Sequence, residues 1–475
     1  MITTKLYEYE STLTEKRKKE MGIVYTPQNI VHHINKRCLD LWKEDYPPKV
    51  IDFSSGTGVF LVDMCEKISE RYGLSIEEVY EKYIFANDID TEATDIFREY
   101  TKCNNISNED GLTIDLSDYD ILIGNPPYIK IQNLSQEGKS NIRKYSWCSE
   151  GNSDIYIAMA QRFITSGKIF GFICPNSWQR SSTGSKMVKH VLESKLVSSF
   201  TDFRTKLVFN VGAYCSILIG DNTEKNSYEF SNDLDQTVEI KSYSDVDKDN
   251  FYLFDEEAEF IKSNNEKETF LLDICSLKVG LATLSDKLYF LPDCTEDGDF
   301  YVSGDVTIEK DITKKCYKAG KLSRYDKHHE DRIIFPYDDS LNAYTEEEIR
   351  TKFPKANEYF KQIKSKLLKR DNGKFKTRVE NGKNQWFEYG RSQGLKLDDE
   401  KILMSPIVSK KYFMKIQNGL FISGYCFIPK QGIDVQTIID AIDCDDFRKW
   451  ITLFGSPKQG GYYSISTKAI SGYKF

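Results

Sequence analysis

The residues most able to do chemistry in this chain stand together at Asn125-Pro126-Pro127-Tyr128, where the apolar run Ile121–Ile123 stops at Gly124. Two consecutive prolines remove two backbone donors and fix φ twice, so the loop is stiff and holds its carbonyls and the Asn125 side chain in a set direction. The exocyclic amino group of a base such as adenine is a poor nucleophile, because its lone pair is delocalised into the ring. An amide oxygen and a backbone carbonyl that accept its two hydrogens favour the tetrahedral, nucleophilic nitrogen. Tyr128 adds a flat face on which an extruded base can stack, a contact of roughly 1 to 3 kcal/mol. Neither a metal nor a strong base is required.

A second set of residues lies upstream. The apolar run Val50–Phe53 carries Asp52 and leads through Ser54 into Gly56-Thr57-Gly58 and an apolar helix. Glycines at a strand-to-helix turn let a ligand approach the backbone closely and meet helix N-terminal N–H groups, though the same spacing also serves a plain tight bend. Asp88, followed by Ile89, ends the next apolar run at the place of a carboxylate that accepts from two ribose hydroxyls. It could instead cap the following helix, a task for which Asp90 is better placed. Asp110 precedes the third run, either as an acceptor for a cofactor's adenine amino group or as part of a solvated turn.

Positioning these groups falls to a β/α alternation over the first two hundred residues. Strands are expected at Val50–Phe53, Ile84–Asn87, Asp120–Ile123, Ile169–Cys174 and Val197–Phe203, with a terminal hairpin ending at Tyr214–Ile219. Helices such as Ser75–Tyr83, opened by a Ser75/Glu78 capping box, and Glu92–Lys102 lie between them. The pattern predicts a doubly wound α/β sheet. A polar, acidic stretch follows, so residues 1–225 are read as one domain, 226–255 as a linker, and 256–475 as a separate α+β module.

Composition narrows the class. With 475 residues, 40% hydrophobic and 29% charged, the chain is expected to be a soluble, cytoplasmic, two- or three-domain protein with no membrane partner. The 11 cysteines are scattered singly, without C-x-x-C pairs, which argues against zinc or a disulfide framework and for reduced core residues. A formal net charge of −8 does not favour a nucleic-acid partner, so a DNA reader of this composition must concentrate its positive charge locally.

The segments GIVYTPQNIVHHI, VIDFSSGTG, ANDID, the Asp110 region and GNPPY occur in the order and spacing of the gamma-class amino-methyltransferases. The chain resembles a TaqI-like DNA adenine-N6 methyltransferase of bacterial restriction-modification type. SDIYIAMAQRFI, GKIFGFICPNSW and KLVFNVGAYCSILIG extend the likeness over nearly all of the first 220 residues. The resemblance implies a Rossmann-like methyltransferase domain that uses S-adenosyl-L-methionine and releases S-adenosyl-L-homocysteine without a metal. It places Asn125, Pro126, Tyr128 and Phe209 at the target base. It places Thr26, Asp52, Ser54, Gly56, Gly58, Asp88, Ile89, Asp110, Gly111 and Asn125 around the cofactor. The chain departs from the family at Phe53 and at Gly111, where an apolar side chain commonly packs on the cofactor adenine; Leu112 is the expected substitute.

The second half is similar, more faintly, to the target-recognition domain of these enzymes, through SLKVGLATLSDKLYFL, RIIFPYD, QWFEYGRSQGL and KILMSPIVSKKYFMK. The basic stretch from Lys352 to Arg378 fits phosphate contact, or else a solvated helix face. Lys364, Lys369, Arg370, Lys374, Lys376, Arg391, Lys410 and Lys411 are the candidate DNA-binding residues, and Gly460-Gly461-Tyr462-Tyr463 is a loop near DNA or only a turn. The implied partners are double-stranded DNA and a separately encoded restriction endonuclease, with the chain itself a monomer. Two alternatives stay open. One is RNA adenine or protein glutamine methylation by the same NPPY chemistry, and the other is a modification subunit active only with a partner.

Overall fold

Short apolar runs separated by amphipathic stretches build one large sheet in the first half of the chain. The computed structural model describes all residues except 1–5, 10–11, 25, 210–212, 235–237, 328, 397–398, 409–410 and 459–461. Contacts divide the chain into two compact units, Met1–Glu259 and Phe260–Phe475.

The first unit holds, in chain order, α1 (Glu15–Met21), α2 (Gln28–Leu41), β1 (Val50–Asp52), α3 (Val59–Tyr72), α4 (Ile76–Lys82), β2 (Ile84–Asn87), α5 (Thr91–Thr101), β3 (Ile106–Ser107) and β4 (Ile121–Gly124). Then come α6 (Gln136–Arg143), α7 (Ile155–Thr165), β5 (Ile169–Pro175), α8 (Ser185–Ser194), β6 (Val197–Asp202), β7 (Cys215–Gly220), β8 (Ser227–Ser231) and β9 (Glu239–Ser242). The strand order is β3-β2-β1-β4-β5-β7-β6-β8-β9. The first five strands run parallel, while β7 is antiparallel to both β5 and β6. The expected doubly wound sheet with a terminal hairpin is observed.

The chain leaves β1 towards β2 on one side and returns to β4 on the other. That reversal is a topological switch point, where the loops at the carboxyl ends of the strands part and leave a crevice. Helix ends are set as their sequences direct: Ser75 Oγ accepts from the Glu78 N–H at 3.2 Å, and Asp90 accepts from the Glu92 N–H at 3.2 Å. One face of the sheet packs Val50, Ile84, Ile121, Ile123 and Ile217 against Ile34 and Leu61 on the covering helices. A side chain of that kind, fully buried, contributes about 1.5–3 kcal/mol by leaving water.

The linker expected over residues 226–255 is not one. This segment supplies β8, which pairs parallel to β6, and β9, which pairs antiparallel to β8. Its aromatic residues anchor it: Phe230 and Phe251 are buried beside Phe200, and the Tyr228 hydroxyl donates to the Phe251 carbonyl at 2.5 Å. A polar composition concealed them because β9 is an edge strand with its outward side chains in water. The boundary therefore falls at Glu259/Phe260.

The second unit is a mixed α+β body of short, mostly antiparallel strands, in four small sheets among the described residues, with helices at Glu346–Lys352, Pro354–Leu368, Lys374–Glu380, Val435–Ile442 and Asp445–Phe454. It has cores of its own, one around Tyr289, Phe360 and Tyr389 and another around Phe447, Trp450 and Tyr473.

Candidate active site

The crevice at the switch point opens into a cavity of about 390 Å³, within the size range of small-molecule sites. Its wall gathers residues scattered over about a hundred positions: Thr26, Asp52, Ser54 and Gly56, Asp88 and Ile89, Asp110 and Gly111, and Asn125. Gly58 lies just behind it, with φ at +81° and Phe97 packed where a side chain would start, so this turn accepts only glycine.

Asp52 ends β1 and is buried, its Oδ1 accepting from the Ser54 N–H at 3.0 Å. Burial, with the Asp88 carboxylate adding to it, pushes its carboxyl up to about 8. Asp88 accepts from the Gly56 N–H at 2.7 Å through Oδ2 and from the Asp90 N–H at 2.9 Å through Oδ1, and burial also raises its pKa. Of the two roles open to it, capping belongs to Asp90, which also pairs with Arg17 at 3.1 Å. Asp88 faces the cavity instead. Ile89 beside it is 65% exposed, an apolar side chain standing uncovered at the cavity wall.

The Asp110 turn closes another part of the wall. Asp110 Oδ1 accepts from the Leu112 N–H at 2.9 Å, and Oδ2 accepts from Asn141 Nδ2 at 2.8 Å. At Gly111 a Cβ would stand 2.5 Å from the Phe53 carbonyl oxygen, which explains the missing side chain there. Leu112 and Phe53 both line the cavity, and the Phe53 ring packs on Phe163, with centroids 4.5 Å apart. Asn141, Ser135 and Gly138, which precede or lie on α6, also line the cavity. No sequence signal pointed to them, since a short polar helix after the proline loop reads as surface.

Asn125 is held from across the chain. Its Nδ2 donates to the Val24 carbonyl at 2.9 Å and to Thr26 Oγ1 at 3.1 Å. A carbonyl can only accept, so the amide nitrogen faces Val24 and the amide oxygen faces the other way. That oxygen is buried and has no hydrogen-bond partner among the described residues, as are the hydroxyls of Ser54 and Ser55. Buried acceptors without partners are rare and costly unless something else fills the place.

Pro126, Tyr128 and Phe209 lie outside the lining of the cavity. The Tyr128 ring meets Phe209 and Tyr156 edge-on, each at 6.4 Å between centroids, and its hydroxyl lies 3.6 Å from Cys215 Sγ. Burial holds the Tyr128 phenol well above its usual range and pushes the Cys215 thiol up to about 12. Tyr128 and Phe209 are thus brought together, beside the cavity rather than in it.

The basic residues of the second unit divide sharply. Lys364, Lys369, Lys374, Lys376 and Arg391 are exposed, with Lys364 4.4 Å above the Trp386 ring and Lys376 3.5 Å from Glu380. Lys411 is half-buried and pairs with Asp326, and Lys410 and Gly460-Gly461 lie outside the described residues. Arg370, expected at DNA, is 4% exposed. Its guanidinium donates to the carbonyls of Leu367 (2.8 Å), Thr283 (2.9 Å), Glu388 (2.8 Å) and Trp386 (3.1 Å) and covers the Phe375 ring at 3.9 Å. Four of its five N–H donors are committed inside the protein, and its burial keeps the guanidinium from phosphate. Among the described residues there is no group of acidic, His and Cys side chains placed to hold a metal, and no helix long and apolar enough to cross a membrane.

Residues 32–209 match the family described as Eco57I restriction-modification methylase, and the resemblance expected from the motifs is borne out. The chain is 25% identical over 408 residues to the Type II restriction enzyme and methyltransferase RM.Eco57I of Escherichia coli, which covers 74% of this chain and 40% of that protein. It is 22% identical over 488 residues to the Type II methyltransferase M.BanIII of Aneurinibacillus aneurinilyticus, covering 87% and 82%. Among solved structures, the Type IIL restriction-modification enzyme MmeI in complex with DNA superposes with a TM-score of 0.64 over 96% of this chain and 69% of that one, at 13% identity. That likeness shows a shared fold across both units. This chain spans less than half the length of RM.Eco57I.

Proposed function

We propose that the chain is a site-specific DNA methyltransferase that acts on the exocyclic amino nitrogen of an adenine turned out of duplex DNA. The observation that carries this reading is the Asn125 amide oxygen, a buried acceptor without a partner at the wall of a cofactor-sized cavity. Its orientation is the one needed to take a hydrogen from an incoming amino group, and it costs no reorganisation at the moment of reaction.

S-adenosyl-L-methionine fits the donor set of the cavity. Asp88 has acceptor capacity left on both oxygens for ribose hydroxyls, Ile89 and Leu112 offer apolar cover for a base, and the Ser54 and Ser55 hydroxyls lack partners. Such a cofactor supplies an electrophilic methyl carbon on a sulfonium. Asn125 accepts one amino hydrogen of the target and the Pro126 carbonyl the second, which directs the nitrogen lone pair outward. Tyr128 and Phe209 hold the ring of the base, and the proton leaves afterwards to solvent. No side chain has to act as a strong base. The second unit reads the sequence, with Lys364, Lys369, Lys374, Lys376, Arg391 and Lys411 as phosphate contacts.

The test is incubation of the purified chain with S-adenosylmethionine and unmodified genomic DNA, read by single-molecule sequencing. Methyladenine at one recurring sequence is expected. Methylation of RNA alone, or none without an added subunit, would overturn the DNA reading for this chain.

A further inference from the structure

The turn of residues 110–114 contributes Asp110, Gly111 and Leu112 to the cavity wall, yet it belongs to no strand or helix. Its shape is imposed by side chains that follow the catalytic loop. Arg162, on α7, donates from Nη1 to the Gly111 carbonyl and from Nη2 to the Ile114 carbonyl. The Tyr145 hydroxyl donates to the Leu112 carbonyl between them, and Asn141 holds Asp110 Oδ2 at 2.8 Å. The Arg162 guanidinium also lies 5.4 Å from the centre of the Phe53 ring, next to Asp52 at the end of β1. Gly111 is pressed against the Phe53 backbone, so Phe53 forms one side of this arrangement and Arg162 and Tyr145 the other.

We propose that Arg162, with Tyr145 assisting, is a positioning residue that sets cofactor affinity by fixing this turn; the inference rests on the reading of the cavity as the S-adenosylmethionine site. The planar fork of arginine reaches two carbonyls at once and stacks on an aromatic ring. An ammonium is a point donor and reproduces neither geometry. Arg162 has no place among the groups assigned to the target amino nitrogen, so its effect falls on cofactor binding and leaves the transfer step alone. This separates it from Asn125, whose loss acts on the transfer itself.

The experiment measures S-adenosylhomocysteine binding by calorimetry for the wild-type chain and for Arg162→Met, Arg162→Lys and Tyr145→Phe. Steady-state methylation of duplex DNA at varied cofactor runs alongside. Arg162→Met is expected to weaken binding about tenfold and raise the cofactor KM by a similar factor, with kcat at saturating cofactor within about twofold of wild type. Arg162→Lys should recover part of the loss, and Tyr145→Phe should weaken binding about threefold. If Arg162→Met does not fold, the two milder variants carry the test. Affinity unchanged in the variants, or kcat lost with affinity intact, overturns the proposal. A wild-type chain that binds no S-adenosylhomocysteine overturns the cavity assignment along with it, whereas wild-type binding with unaffected variants overturns the role of Arg162 alone.

Discussion

Asn125 and Thr26 stand 99 residues apart in the chain and 3.1 Å apart in space, the amide nitrogen of one donating to the hydroxyl oxygen of the other. The Val24 carbonyl at 2.9 Å decides which way the amide points, and Thr26 is its second anchor. Thr26→Val removes one of two anchors worth about 1 kcal/mol, so kcat should fall roughly fivefold. Single-turnover methylation at saturating cofactor measures this, and an unchanged rate would mean that Val24 alone orients the amide.

Asn125→Ala removes the acceptor itself. Transfer should fall by about 10² to 10³, the usual cost of losing one group aimed at the reacting centre. Calorimetric binding of S-adenosylhomocysteine should stay near wild type. Full activity in this variant would sink the mechanism.

Arg370 and Lys369 are neighbours with opposite environments, one buried and one exposed. Arg370→Met removes four hydrogen bonds from the guanidinium to backbone carbonyls and is expected to destabilise the chain by about 3 kcal/mol or more, read by urea unfolding. Lys369→Ala should leave unfolding unchanged, weaken DNA binding and reduce its salt dependence by about one charge. Equal stability of the two variants would contradict the burial of Arg370.

The raised carboxyl of Asp52 makes the cofactor-free chain sensitive to pH. In the unfolded chain this group ionises near 4, whereas in the fold it holds its proton up to about 8. Between those values the unfolded state binds fewer protons, so stability falls as pH rises through the window. Asp52→Asn keeps an acceptor for the Ser54 N–H and removes the titration. Its urea midpoint should match wild type at pH 4 to 5 and exceed it increasingly towards pH 8. A constant difference across that range would show that Asp52 ionises normally.

Much of the cavity was legible in the residues. The run Ile84–Asn87 is β2 to the residue, and the motifs of Asp52, Asp88, Asp110 and Asn125 converge on one cavity. These features are local: an apolar run ends, a turn residue follows, and a polar group is placed by the strand it terminates. What failed depended on contacts distant in sequence. Arg370 looked like one more cation in a basic stretch, because only the fold reveals that Thr283 and Trp386 close around it. Residues 226–255 read as linker because their five or so buried aromatics are spaced too widely for a periodic signal, and Asn141 and Arg162 act on a turn some 30 and 50 residues away.

The strap of residues 22–26 has a consequence for the order in which the site comes into being. Gly22 accepts from the Tyr128 N–H at 3.3 Å, and Val24 and Thr26 hold Asn125. All three bonds join this strap to a loop made about a hundred residues later, which at about 5–20 residues per second is a delay of roughly 5 to 20 s during synthesis. Over that interval these three bonds cannot form. Asp52 at the end of β1 and Asp88 just after β2 are translated before Asn125, whereas Asn141, Tyr145 and Arg162, which hold the turn of Asp110, come after it, so the cavity wall is complete only once α7 has been made.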